Sequence, residues 1–146
     1  MNLEDGIERF VSAQQNVFQT ALEEIKNGKK ESHWMWYIFP QIRGLGFTDY
    51  NVYYGIKNLN EAEHYLNDPI LGNRLIEISE AVFRQQVKTA AEIFGKPDER
   101  KLRSCMTLFS QIPNANPIFQ KVLEKYYKGL NDDKTISILS EQKNNR

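Results

Sequence analysis

The chain has 146 residues, enough for one domain that buries roughly two-thirds of its unfolded surface without a metal or disulfide staple. Its 19 basic and 19 acidic side chains cancel, which removes any global electrostatic drive toward nucleic acid or an anionic membrane. Cys105 is the single cysteine, so no internal disulfide forms; no stretch reaches the ~20 apolar residues of a spanning helix, and the acidic start has no apolar run of a secretory signal. The expectation is a soluble cytoplasmic protein.

The apolar pattern is helical. Leu3, Ile7, Phe10, Val11, Val17, Phe18, Ala21, Leu22 and Ile25 recur at three- and four-residue steps and predict one long amphipathic helix over 3–27, stopped by Gly28. Ser32 can cap a short, all-round apolar helix over 33–39, which Pro40 ends because proline disfavours helical backbone in the residue before it. Gln41 to Gly46 read as a loop, its two glycines permitting unusual backbone angles. Thr48 or Asp49 can cap a helix through Tyr50, Tyr53 and Tyr54; Asn60 can cap another over 61–66, with Glu63 in the capping-box position. Asp68 and Pro69 start a helix whose stripe is Leu71, Leu75, Ile78, Val82 and Phe83, running to about Gln86. Thr89 caps a turn over 90–94 that Gly95 closes. Pro97 opens a helix with a core face of Leu102, Cys105, Met106 and Phe109, and Asp98 and Glu99 complement its dipole. Asn116 and Pro117 open the next, through Ile118, Val122, Leu123 and Tyr126 to Gly129. A last short helix includes Ile136 and Leu139, followed by a frayed polar tail over 141–146. No segment alternates with period two, so the expectation is one all-α domain of seven or eight helices without significant sheet, its core spanning about 5–139.

Three constellations could carry chemistry. Ser32, His33, Trp34, Trp36 and Gln41 sit within ten residues that hold both tryptophans of the chain. A histidine can exchange a proton near neutral pH, an indole can stack on a flat ring or a cation, and a glutamine can read an amide or hydroxyl. The structural alternative is a tryptophan-rich core with one satisfied histidine. Lys101, Ser104, Thr107 and Gln111 fall along one flank of the helix from Pro97, where a lysine and two hydroxyls could hold a phosphate or carboxylate; the alternative is an amphipathic border whose hydroxyls bond the preceding turn. Arg43 with Gly44 and Gly46 could form an anion nest, or a simple turn. No Gly-Lys-Ser or Gly-Lys-Thr phosphate loop, Gly-x-Gly-x-x-Gly, His-Glu-x-x-His or Gly-x-Ser-x-Gly pattern is present, and one cysteine does not supply a structural zinc site. No cofactor or metal is therefore expected. Cys105 falls on a predicted core face and reads as an inert buried thiol. Lys57, His64, Arg74 and Arg84 read as solvated faces.

The decapeptide from Ser32 to Gln41, followed by Gly44-Leu45-Gly46, resembles the signature of domain-of-unknown-function family 1810 (DUF1810). The likeness continues through Glu61-Ala62, Tyr65-Leu66, Pro69, Leu71-Gly72 and Arg74-Leu75. Ile93-Phe94-Gly95, Pro97-Asp98, Lys101-Leu102, Ser104, Met106 to Phe109 and Asn116 to Phe119 complete it, and the opening Ile7 to Val11 with Ala13-Gln14 also fits. It covers about residues 5–139. Cys105 departs from the pattern, where a second serine is expected beside Ser104. The resemblance implies a compact helical fold and no established activity.

A motif containing His33, Trp34, Gln41, Lys101, Ser104 and Thr107 implies that the two segments meet at one pocket. The expected ligand is small, anionic and flat, such as a nucleotide or nucleotide derivative. Trp34 or Trp36 would stack on it, Arg43, Lys101, Ser104 and Thr107 would hold its anion, and His33 would be the acid/base candidate in any chemistry. The rival reading is a protein-interaction module displaying Tyr50, Tyr53 and Tyr54, with the His33 region sealed in the core. Nucleic-acid binding is disfavoured by the neutral charge.

Overall fold

The computed structural model describes residues 6–87 and 89–144. Among these the protein is all-helical, with ten helices and no strand. The predicted helix start at residues 3–5 and the tail residues 145–146 lie outside the described residues.

Two helices replace the predicted one over 3–27. The first, α1 (Glu8–Gln14), and the second, α2 (Phe18–Lys26), are separated by a turn over Gln15, Asn16 and Val17. Gln14 is buried: its Nε2 donates to the Tyr37 carbonyl (2.7 Å) and to Tyr65 Oη (2.8 Å), which pins the break. The periodicity ran through the turn because both helices bury the same phase of the pattern. The third helix, α3 (Met35–Ile38), is shorter than the predicted 33–39, and Ser32 does not cap it. Phe39 has left helical backbone (φ −123°, ψ 71°), as its place before Pro40 requires.

Thr48 caps α4 (Asp49–Tyr53), accepting from the Asn51 N–H. Asn58, not Asn60, caps α5 (Leu59–Asn67): its Oδ1 accepts from the Glu61 N–H at 2.9 Å. Glu63 makes no capping box. Asp68 caps α6 (Pro69–Phe83) through two backbone N–H groups, with Pro69 at its start. A complete Thr89–Glu92 capping box opens α7 (Ala90–Phe94), and α8 (Asp98–Ser110) follows Pro97. The ninth helix, α9 (Ile118–Tyr127), ends on a left-handed Lys128 (φ 57°). The last, α10 (Asp133–Asn144), is a full helix rather than a short one.

Two helices organise the core. One is α8, whose Leu102, Cys105, Met106, Leu108 and Phe109 are fully buried and which packs on α5, α7, α9 and α10. The other is α6, which packs on α1, α2, α5 and α9. Trp34 and Phe39 reach this core and meet Phe94 edge to face at 6.4 and 5.7 Å. No described helix is long and apolar enough to cross a membrane.

Gly72 sets the approach of α5 and α6. A Cβ at this position would overlap the backbone carbonyl oxygen of Leu66, which cannot swing away as a side chain would. Gly72→Ala is expected to cost about 1–3 kcal/mol of stability through overpacking, although alanine has the better helix propensity. Urea denaturation checks this; a variant as stable as the parent would show that the helices can separate freely.

Among the described residues, extended backbone pairs once. Ile42 and Ile56 form an isolated parallel bridge in which the Arg43 N–H donates to the Ile56 carbonyl and the Ile56 N–H to the Gln41 carbonyl, both at 2.8 Å. The chain between them, including α4, departs and returns at one point. This excursion builds one wall of the site described next.

Candidate functional site

Two buried carboxylates hold the segments that frame the site. The first is Glu24, on the inner face of α2. It accepts the backbone N–H groups of Glu31 (2.8 Å) and Ser32 (3.0 Å), the Ser32 hydroxyl (2.5 Å) and the Trp34 indole N–H (2.8 Å). Burial alone would raise its carboxyl; the Ser32 hydroxyl and the other three donors outweigh that and hold it at about 2. Lys30 completes the clamp, lying 4.9 Å above the Trp34 ring and 3.1 Å from Asp98 at the start of α8.

The second is Glu61, on α5, which receives the buried Arg9 guanidinium of α1 (2.9 Å) and the Lys57 N–H (3.0 Å). Burial again opposes the charged form, and the Arg9 hydrogen bond and charge with the Lys57 N–H bring the carboxyl below its ordinary range. Arg9 also donates to the carbonyls of Gly6, Tyr53 (2.7 Å) and Gly55 (2.8 Å). It thereby fixes the end of α4 and the returning chain.

Between these supports lies an open cleft of about 290 Å³. One wall is the excursion: Leu45, Gly46, Tyr50, Asn51, Tyr54 and Gly55. The opposite wall is α8 with Pro97, Arg100, Lys101 and Ser104. Trp36, Gln41, Asp132 and Lys134 complete the lining. Trp36 and Tyr50 meet edge to face, with centroids 4.9 Å apart. Lys101 Nζ sits 5.1 Å from the Trp36 ring centroid and 3.4 Å from Asp98 Oδ1. The Ser104 hydroxyl donates to the Arg100 carbonyl at 3.2 Å, leaving its oxygen able to accept. The lining thus carries three cations and one carboxylate. Asp132 Oδ2 is held by the Thr135 hydroxyl (2.5 Å) and N–H (3.1 Å).

The structure brings Trp36, Gln41, Lys101 and Ser104 together in this cleft, and places the other sequence-predicted residues elsewhere. Ser32 and Trp34 serve the Glu24 clamp, and Trp34 has no exposed surface. His33 is exposed on the turn before α3 and does not line the cleft; its carbonyl accepts from Tyr37 Oη at 3.4 Å. Arg43 lies behind the wall against Gly55, where an added Cβ would come within 2.9 Å of Arg43 Cα. Thr107 is fully buried, its Oγ1 accepting the Asp132 N–H at 2.9 Å. Tyr50, on α4, and Tyr54, one residue past its end, belong to the tyrosine group of the interaction reading and here line the cleft. Asp132 and Lys134 carry no local signal, since only the packing of α10 on α8 brings them to the cleft.

Other features carry less chemistry. A larger groove of about 940 Å³ beside α10 is lined by Leu59, Ile136, Ile138 and Leu139 with scattered polar groups, and gathers neither an aromatic ring nor a cluster of like charge. Cys105 is fully buried, and burial pushes its thiol well above the ordinary value, so it offers no thiolate. Arg74 is not a solvated face: it lies over the Phe18 ring and reaches Gln14 Oε1 at 3.4 Å. Among the described residues no group of three or more His, Cys, Asp or Glu is placed to hold a metal.

The family model described as "Protein of unknown function (DUF1810)" matches residues 4–139. The chain belongs to this family. A solved structure has the same fold: the crystal structure of the conserved hypothetical protein Rv1873 from Mycobacterium tuberculosis is similar to this chain with a TM-score of 0.90 and 46% sequence identity, covering 92% of this chain and 96% of that one. No curated protein matches the chain. Within the DUF1810 match, the decapeptide contributes to two separate structures. Ser32 and Trp34 fasten to Glu24, whereas Trp36 and Gln41 face the cleft.

Proposed function

We propose that this protein binds a small, flat, nucleotide-like anion in the cleft between the α4 excursion and α8. The observation that supports this most directly is the position of Lys101, which stands over the Trp36 ring at the meeting of an aromatic wall and a basic one. An anion entering there takes Lys101 from a loose 3.4 Å pair with Asp98 and gains Arg100, Lys134 and the Ser104 oxygen as neighbours. Tyr50 and Trp36 provide flat apolar surface for a ring. The lining holds no histidine, so the reading is one of binding, with no proton-transfer role for His33.

The interaction-module reading required the His33 region to be sealed. Trp34 is sealed; His33 is exposed and Trp36 is half-buried at a cleft. That contrast favours the ligand-binding reading.

Tryptophan fluorescence tests it, because Trp36 faces the cleft and Trp34 supplies a buried, constant background. Titration with mononucleotides, sugar phosphates and small dicarboxylates is expected to give a saturable change with at least one class. Lys101→Ala is expected to weaken that binding about tenfold or more, with the melting temperature within a few degrees of the parent. No response across the panel, with no thermal stabilisation by any compound, would refute the proposal.

A further inference from the structure

The cleft contains two side-chain amides that the fold leaves unused. Gln41 is half-buried in its lining, and its side chain makes no hydrogen bond to any described residue. The other glutamines that are buried or half-buried are all engaged: Gln14 with the Tyr37 carbonyl and Tyr65, Gln85 with the Ala81 carbonyl, and Gln142 with the Lys57 carbonyl. Asn51 shows the same pattern on the facing wall. Its backbone N–H is used by the Thr48 cap, while its side-chain amide makes no hydrogen bond to any described residue. That amide also occupies reserved space, since a Cβ on Gly46 would overlap Asn51 Nδ2 and come within 2.8 Å of its Cγ. The second glycine of the Gly44-Leu45-Gly46 loop is what lets the amide lie against the wall.

A primary amide presents one donor and one acceptor side by side. Its best partner is an edge with the reverse order, as on a nucleobase or a cyclic amide, where such pairing is bidentate. The cations Arg100 and Lys101 stand on α8 and Asn51 on the excursion, so the lining offers anion-binding groups together with amide-pairing ones. Its volume of about 290 Å³ is at the lower end of small-molecule sites and suits one ring system with one anionic group rather than a dinucleotide.

Resting on the binding reading above, we infer that Gln41 and Asn51 are the specificity-determining residues of the cleft, and that its ligand class is the nucleoside monophosphates: a heterocycle with an adjacent donor–acceptor edge joined to a single phosphate. The ring lies along Tyr50 and Trp36 with its edge at the two amides, and the phosphate lies at Lys101 and Arg100.

The test compares purine and pyrimidine nucleoside 5′-monophosphates with phenyl phosphate, which keeps the flat ring and the phosphate but has no hydrogen-bonding edge. Binding is read from Trp36 emission in the full chain, in Gln41→Met and in Asn51→Ala. At least one monophosphate is expected to bind about tenfold tighter than phenyl phosphate, and each variant to bring that nucleotide down to the phenyl phosphate level while leaving phenyl phosphate unchanged. Equal affinity for both probes in the parent protein would overturn the inference and leave the anion-binding reading standing. So would variants that weaken both probes alike. Absence of binding by either probe would overturn the inference together with that reading. Gln41 holds the chain bridge through its backbone carbonyl, which Gln41→Met retains, and Asn51→Ala gives a second variant that does not touch the bridge.

Discussion

Arg9→Met is expected to destabilise the protein by about 3–5 kcal/mol, the usual cost of stranding one member of a buried ion pair. At this chain length that corresponds to a melting temperature lower by more than about 10 °C. The Arg9 side chain has no exposed surface, and Glu61 is only 11% exposed, so neither charge has water to fall back on. Methionine keeps much of the aliphatic length and the contact with Phe10, over whose ring the guanidinium lies at 4.4 Å, but satisfies none of the carbonyls of Gly6, Tyr53 and Gly55. The double variant Arg9→Met with Glu61→Gln is expected to recover part of the loss, because it removes the stranded carboxylate. Full recovery is not expected, since the three carbonyls remain without their donor. A single variant as stable as the parent would show that the α4 excursion is held by something other than Arg9.

The second large effect is at Glu24 and depends on pH. Its folded carboxyl sits at about 2, against an ordinary value of 4.5, so the proton is bound more weakly in the folded chain than in the unfolded one. The stabilisation is therefore complete above about pH 4.5 and is lost as pH falls toward 2. That difference corresponds to about 3 kcal/mol at neutral pH. Glu24→Gln replaces an acceptor-only group by one that must point N–H donors at the Ser32 and Trp34 donors. The variant is expected to be less stable than the parent at pH 7 by about that amount, with the gap narrowing steadily below pH 4.5. Urea denaturation at several pH values checks both statements. A gap that stays constant from neutral to acid pH would mean that ionised Glu24 contributes nothing particular.

The sequence made the helical class plain because caps and apolar stripes are local signals. Thr48, Asp68, Thr89 and Pro97 each mark a helix start that the structure contains. The break between α1 and α2 was hidden for the opposite reason: Gln14 interrupts the helix by bonding to Tyr37 and Tyr65, partners 23 and 51 residues away. At the cleft, Trp36, Gln41, Lys101 and Ser104 were visible as chemistry in unusual company. The sequence could not separate Trp34 from Trp36, two positions apart, because the difference lies in Glu24 on another helix. Nor could it show that Thr107 faces inward and Ser104 outward to the cleft, since both lie on the same flank of α8 and only the placement of Asp132 against Thr107 decides between them.

The bridge between Ile42 and Ile56 bears on how the lining of the cleft can be varied. Two hydrogen bonds close the base of a thirteen-residue detour that carries six of the cleft-lining residues and returns to where it left. Its base is tied by backbone groups, so substitutions of its cleft-facing side chains are expected to alter the lining without breaking the two bridge hydrogen bonds.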